Sequence, residues 1–422
     1  MLYLDDTLLD RDYMGRCFER FAAHEVLSSR EHKRIAVCVG DPAFWIAVCL
    51  FIKDRGGSVF PLPADSPRDA ARRRAQRSGC DYLLFGATGD EALQSPEVVS
   101  TDVEPGTQGG TQGVLVQMSS GTTGEPKFVE RTWASIDEEI EAYIRHFDPE
   151  HRLTPVVACP VTHSYGLICG VLVPLRRGVR PVVINNLNPK FILRKLGEIE
   201  RPILYSSPTL IATLTMLVRP GQRIHAVMTS GTLMQNAWFD KVKAKVEHLH
   251  QQYGCSEAGC AVLGEDITRA NELGKPLPHI QLTTGPSAQT PAEIMLELSG
   301  GKTVATADLG YLEGGKVHFV SRLDDMINVS GRNVYPAEVE EVILECPGVT
   351  DAVVYKRSHG FGNDQVCLAF ASQEPITDQE IRAWCSERLA GHQVPMRVDR
   401  LERIPTLPNG KVSRTALAKT LA

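Results

Sequence analysis

The chain carries 11 cysteines but no pair in C-x-x-C spacing. An odd, scattered set of thiols excludes a disulfide framework and a zinc ribbon, and fits buried thiols in a reducing cytoplasm. Long apolar runs are missing too. The longest, "FWIAVCLFI" at 44–52, falls well short of the roughly 20 apolar residues that a bilayer span needs, so no membrane span is expected. The N-terminus "MLYLDDTLLD" has no basic start and no apolar core, so no secretory leader is read there. Positive charge is not in excess: 45 Lys and Arg against 51 Asp and Glu leave a net charge of −6. That balance argues against a general nucleic-acid or anionic-membrane binder, while leaving a local basic patch open. Internal repeats and low-complexity tracts are absent as well.

What remains is an ordinary globular composition, 43% apolar and 23% charged over 422 residues, enough for two or three domains. In the N-terminal third, short apolar runs alternate with helix patterns. "RIAVCVG", "SVFPLP" and "DYLLFG" read as strands, separated by "DPAFWIAVCLFIKDRGG" and the polar "SPRDAARRRAQRSG" as helices. This order predicts a parallel sheet covered by helices. A Gly/Thr/Gln-rich loop at 104–113 precedes the strand "VLVQM", and the alternation resumes with "PVVACPV", "RPVVINN", "PILYSS" and "HAVMTSG". Near 320 the pattern changes to a hairpin, a helix ("YPAEVEEVILEC"), two strands ("DAVVYKR", "QVCLAFAS") and a helix ("TDQEIRAWCSERLAG"). The fold class expected is α/β: a large N-terminal domain of helix-covered, mostly parallel sheets, and a small mobile C-terminal α+β domain. The boundary is drawn between 1–323 and 324–422.

The stretch "SSGTTGEPK" (119–127) follows a strand and is made almost wholly of Ser, Thr and Gly. Small residues let backbone amides wrap phosphate oxygens, hydroxyls add donors, and a lysine adds charge. The Walker glycine before the lysine is lacking, since Pro126 stands there and Phe128 follows. The loop is thus a phosphate loop of another kind; the bland alternative is a flexible linker.

In this stretch the sequence resembles the adenylate-forming superfamily of acyl- and aryl-CoA synthetases, nonribosomal peptide synthetase adenylation domains and luciferases. Three further segments, in order, carry the resemblance: "QQYGCSEAG" (251–259), "TADLGYLEGGKVHFVSRLDDMINVSGRNVYPAEVEEVI" (306–343) and "PTLPNGKVSR" (405–414). Members are usually longer, and the N-terminal region looks trimmed by comparison.

The resemblance implies the site. Ser119, Ser120, Gly121, Thr122, Thr123, Gly124 and Lys127 would hold the β- and γ-phosphates of ATP. Glu257 would bind Mg²⁺, a hard cation suited to a carboxylate; otherwise it is an ordinary helix N-terminal Glu. Tyr253 would pack on adenine, with the 229–233 segment, Gly231 included, as the opposite wall. Asp308 would accept the ribose hydroxyls, and Arg322 would contact ribose or phosphate. Ser321 stands where the family prefers glycine. Lys411 would bridge the attacking carboxylate and the nucleotide; outside its motif it would read as a solvated tail lysine. His163 would line the acid pocket with Tyr165, Gly166, Ser206, Ser207 and Ser230, although a lone His at the end of an apolar strand is more often structural. Asp324 would be the hinge.

Residues 162–168, "THSYGLI", hold no acidic side chain to pair with an α-ammonium group. An aryl acid is favoured as substrate, with a medium- or long-chain acyl acid as the alternative. The acceptor implied is a phosphopantetheine thiol, of CoA or a carrier protein. Compact length adds a likeness to stand-alone ligases of siderophore pathways. A nucleotide-binding interaction module without catalysis is the competing class, and an adenylating oxygenase a third.

Overall fold

The structure is a computed structural model that describes residues 1–28, 33–99, 112–119, 127–148, 150, 152–234, 236–329, 332–359, 363–406 and 412–421. The residues Ser120, Gly121, Thr122, Thr123, Gly124 and Lys411 lie outside these ranges.

The β-α-β-α-β pattern folds as its apolar runs dictate. The strand Arg34–Val39 is buried along its whole length, as a central parallel strand covered on both faces must be. It pairs in parallel with Ser58–Pro61 and Tyr82–Gly86. The helix between, Pro42–Asp54, starts where Asp41 accepts the N–H groups of Ala43 and Phe44 at 2.9 and 3.3 Å. Pro42 fits its first turn because the missing N–H has no partner to lose there. Its Trp45 indole donates to the Val161 carbonyl at 2.7 Å, which pins the approach to His163. This six-stranded sheet ends in Val114–Ser119 and Lys127–Thr132, an antiparallel pair with Ser119 opposite Lys127.

A second sheet of 13 strands forms the body of the large domain. Its parallel centre runs Val246–Cys255, Ile224–Thr229, Pro202–Ser206, Thr154–Val157, Val182–Val183, Leu2–Leu4. One flank closes with Thr7–Leu9. The other continues antiparallel through Gly259–Gly264, Glu272–Pro276, Lys316–Arg322, Thr303–Glu313, Ala292–Leu298 and Ile280–Thr283. Neither the N-terminal hairpin nor this antiparallel flank is anticipated in the strand–helix alternation.

The smaller C-terminal part has its own sheet, Val349–His359, Asn363–Ser372 and Arg397–Leu401. Helices Pro336–Leu344 and Asp378–Ser386 accompany it, and Val339, Ile343, Val354, Leu368, Phe370 and Ile381 share one apolar core. The strand Arg397–Leu401 and the helix Arg414–Thr420 go beyond the elements expected from sequence. Asn236 of the large part donates to Glu341 of the helix Pro336–Leu344 at 2.6 Å. All 11 cysteines are unpaired, and among the described residues no helix is long and apolar enough to cross a membrane.

Leu204 lies at the centre of the large sheet with no exposed surface. Leu204→Ala is expected to lower unfolding free energy by about 2–5 kcal/mol in urea titration, from lost transfer energy and the cavity left behind.

Candidate active site

The strand Thr154–Val157 ends in a turn that carries His163, whose side chain is exposed. His163 is therefore part of a turn and not of the apolar strand end that the sequence suggests. Tyr165–Leu172 then winds as a π-helix, a form concentrated at functional sites. Gly166 permits its start, because a Cβ there would lie 2.4 Å from the Pro160 carbonyl oxygen.

The Tyr165 hydroxyl donates to the Met228 carbonyl at 2.5 Å and lies 3.4 Å from that of Ser206. Ser206 is fully buried, and its own hydroxyl donates to the Ala158 carbonyl at 3.2 Å. The Ser207 hydroxyl caps the helix Pro208–Leu217 by accepting the Leu210 N–H. Both hydroxyls are thus engaged in holding the backbone. Ser206 pairs in register with Thr229 and Thr229 with Gln251. Ser230 and Gly231 follow directly, and Gly231 adopts φ +89°, a left-handed turn that glycine takes without strain. The segments of Tyr165, Ser206, Ser230 and Gly231 therefore converge at the carboxyl ends of adjacent parallel strands, where open α/β sheets bind ligands.

The segment "YGCSEAG" forms a tight hairpin between Val246–Cys255 and Gly259–Gly264, with a register shift at Tyr253/Gly254. Glu257 sits half-buried in its turn, which replaces the helix N-terminus offered as its ordinary reading. Two glycines close the hairpin: a Cβ on Gly254 would lie 1.8 Å from the Gly259 carbonyl oxygen, and Gly259 has φ +74°. Burial, then the nearby Glu257 charge, pushes the Cys255 thiol up to about 12.

Tyr253 donates its hydroxyl to Asp308 Oδ2 at 2.8 Å. Asp308 pairs in register with Arg322, whose Nη1 lies 3.6 Å from Oδ1. The antiparallel flank of the sheet thus carries Asp308 and Arg322 to the end of the parallel strand that bears Tyr253. Asp324 is exposed in the turn that follows.

The two strands that flank residues 120–126 in sequence are held from two sides. Ser164 donates to Gln117 Oε1 at 2.7 Å, joining the His163 turn to the strand that enters the loop. On the returning strand, Lys127 is exposed. Arg131 on that strand forms a buried ion pair with Glu139 at 2.6 Å. In the C-terminal part, Arg414 donates to Glu340 at 2.7 and 3.0 Å, to Asp325 at 3.1 Å and to the Val354 carbonyl at 2.9 Å. It lies three positions after Lys411 in sequence and is itself tied to Asp325, the residue following Asp324. These contacts go beyond the residues singled out from sequence. Arg414 alone had a signal, as the last residue of "PNGKVSR".

Residues 19–283 match the AMP-binding enzyme family, and residues 338–411 the AMP-binding enzyme C-terminal domain. The chain is 37% identical to a 3,4-dihydroxybenzoate–[aryl-carrier protein] ligase of Bacillus anthracis, covering 91% of this chain and 90% of that protein. It is 26% identical to the long-chain-fatty-acid–CoA ligase FadD13 of Mycobacterium tuberculosis, covering 88% and 80%. Among solved structures, O-succinylbenzoate coenzyme A synthetase (MenE) of Bacillus subtilis with AMP superposes with a TM-score of 0.82 at 20% identity, covering 99% of this chain and 94% of that one. ATP-bound MatB of Rhodopseudomonas palustris gives 0.79 at 18% identity, covering 97% and 93%. The chain belongs to the AMP-binding enzyme family. It is an adenylate-forming acid–thiol ligase.

Burial holds the phenols of Tyr143, Tyr165, Tyr205 and Tyr253 above their ordinary value. Phenols of the unfolded chain ionise near pH 10, so above that pH the unfolded state has released protons that the native state keeps. Their contribution is full below pH 10 and is lost as pH rises further. The urea midpoint is expected to hold up to about pH 10 and to fall as pH is raised further.

Proposed function

We propose that the chain converts a small aryl carboxylic acid and ATP into an aryl adenylate and pyrophosphate, then passes the aryl group to the phosphopantetheine thiol of a carrier protein. The observation that carries this reading is the 37% identity, over 91% of the chain, to a ligase that acts on 3,4-dihydroxybenzoate and an aryl-carrier protein. An acyl alternative rests on the 26% identity to a long-chain-fatty-acid–CoA ligase.

In the first step a carboxylate oxygen attacks the α-phosphorus and the bond to pyrophosphate breaks. In the second the thiolate attacks the acyl carbon and AMP leaves. Two anions must meet in the first step, so the residues' work is positioning and charge neutralisation. Ser119 to Gly124 and Lys127 take the β- and γ-phosphates. Tyr253 and Gly231 flank the adenine, while Asp308 accepts the ribose hydroxyls from beside Arg322. Glu257 would hold a Mg²⁺, a hard cation suited to a carboxylate, and the ion would neutralise phosphate charge. His163, Tyr165, Gly166 and Ser230 wall the acid, with the Ser206–Ser207 backbone behind them. Lys411 arrives from the C-terminal domain, 324–422, which turns on Asp324 between the two steps.

Acid-dependent ATP–pyrophosphate exchange tests the reading. Hydroxylated benzoates are expected to support it and fatty acids to fail; the reverse order would favour the acyl alternative. Lys411→Ala is expected to lower exchange on the order of 10²-fold or more, with ATP affinity little changed. His163→Ala should raise KM for the acid or change its selectivity in a protein that stays folded. Collapse of thermal stability instead would make His163 structural.

A further inference from the structure

The large domain buries a charge that the nucleotide chemistry does not touch. Glu139, on the helix Trp133–His146, has no exposed surface. Its Oε2 lies 2.6 Å from Arg131 Nη1, and its Oε1 accepts the Cys260 N–H at 2.7 Å. Arg131 also donates to the Ser135 carbonyl at 3.3 Å. Arg131 lies four residues past Lys127 on the strand returning from the loop, and Cys260 three residues past Glu257. One carboxylate therefore touches both segments. Gly259 leaves room for the contact: a Cβ there would lie 2.2 Å from both Arg131 Nη1 and Glu139 Oε2.

A buried ion pair is weak evidence of stabilisation, because desolvating two charges offsets their attraction, and apolar replacements of similar size are often neutral or better. What a pair with filled acceptors supplies is geometry. We propose that Arg131 and Glu139 are positioning residues that fix the spacing between the strand Lys127–Thr132, which begins with Lys127, and the Glu257 hairpin, and so set affinity and alignment for MgATP. The inference rests on the reading that both segments meet one nucleotide. Neither side chain is assigned a contact with substrate. The strand carries the effect rigidly, with Arg131 paired to Leu115 and Lys127 to Ser119 in one unbroken register.

The test is the full chain with Arg131→Met and Glu139→Leu together, against the unmodified chain. Melting is expected within about 4 °C of the original, because a similar-sized apolar pair replaces the ionic one. MgATP binding by calorimetry, without acid, should weaken about tenfold or more, and kcat/KM for MgATP should fall on the order of 10²-fold, while KM for the acid holds. Arg131→Lys alone, which keeps the charge, should recover part of the loss. If the double variant does not accumulate, Glu139→Gln is measured with the same direction expected and the same overturning result. A folded variant that binds and uses MgATP like the unmodified chain overturns the inference alone. Failure of the unmodified chain to bind MgATP overturns the inference together with the proposed function.

Discussion

A carboxylate without exposed surface can stay charged only if its oxygens are filled, and Glu139 fills them with Arg131 and the Cys260 N–H. That requirement draws a strand, a helix and a hairpin into one place. The strand returns from the Ser/Thr/Gly loop, and the hairpin carries Glu257. Gly259 at φ +74° is what the approach demands of the sequence. The same logic recurs in the C-terminal part, where Arg414 spends its donors on Glu340, Asp325 and the Val354 carbonyl. In both places a buried or half-buried ion pair stands a few residues in sequence from a segment that the sequence motifs mark.

The candidate site is assembled from two kinds of sheet. Parallel strands bring Ser206, Thr229 and Gln251 into adjacent register. Their carboxyl ends form the floor on which Tyr165 rests through the Met228 carbonyl. The antiparallel flank then folds Asp308 back onto Tyr253, 55 positions away in sequence. Ala307, just before Asp308, adopts φ +59°, an unfavourable region for a residue with a side chain. Its N–H is tied to Glu293 and its carbonyl to Leu323. Such strain persists only where surroundings over-determine it, and here it adjoins the carboxylate read as the ribose acceptor.

Much of this was legible in the sequence, for physical reasons that also mark the limit. Strands such as Arg34–Val39 announce themselves because burial on both faces forces an unbroken apolar run. The flank at 272–322 does not, since its strands are partly exposed and their pattern is broken by register shifts at Glu272/Gly274 and Leu309/Gly310. The wide helix at Tyr165–Leu172 has no propensity signature distinct from an ordinary apolar helix. Motif residues stood out because their types and spacing are unusual: a bare hydroxyl-rich loop, YGxxE, and GK near the end. Arg131, Glu139, Gln117 and Ser164 could not, because their partners are set by the meeting of distant elements. The hydroxyls of Ser206 and Ser207 were readable as polar groups near the acid, but not as groups already engaged with backbone.

The account's central claim is that nucleotide and acid occupy adjoining parts of one cleft at the strand ends. A stable sulfamate analogue of 3,4-dihydroxybenzoyl adenylate, titrated calorimetrically beside AMP, measures this directly. Binding on the order of 10²-fold or more tighter than AMP is the result expected of a ligand that fills both parts at once. An analogue that binds no more tightly than AMP would contradict it.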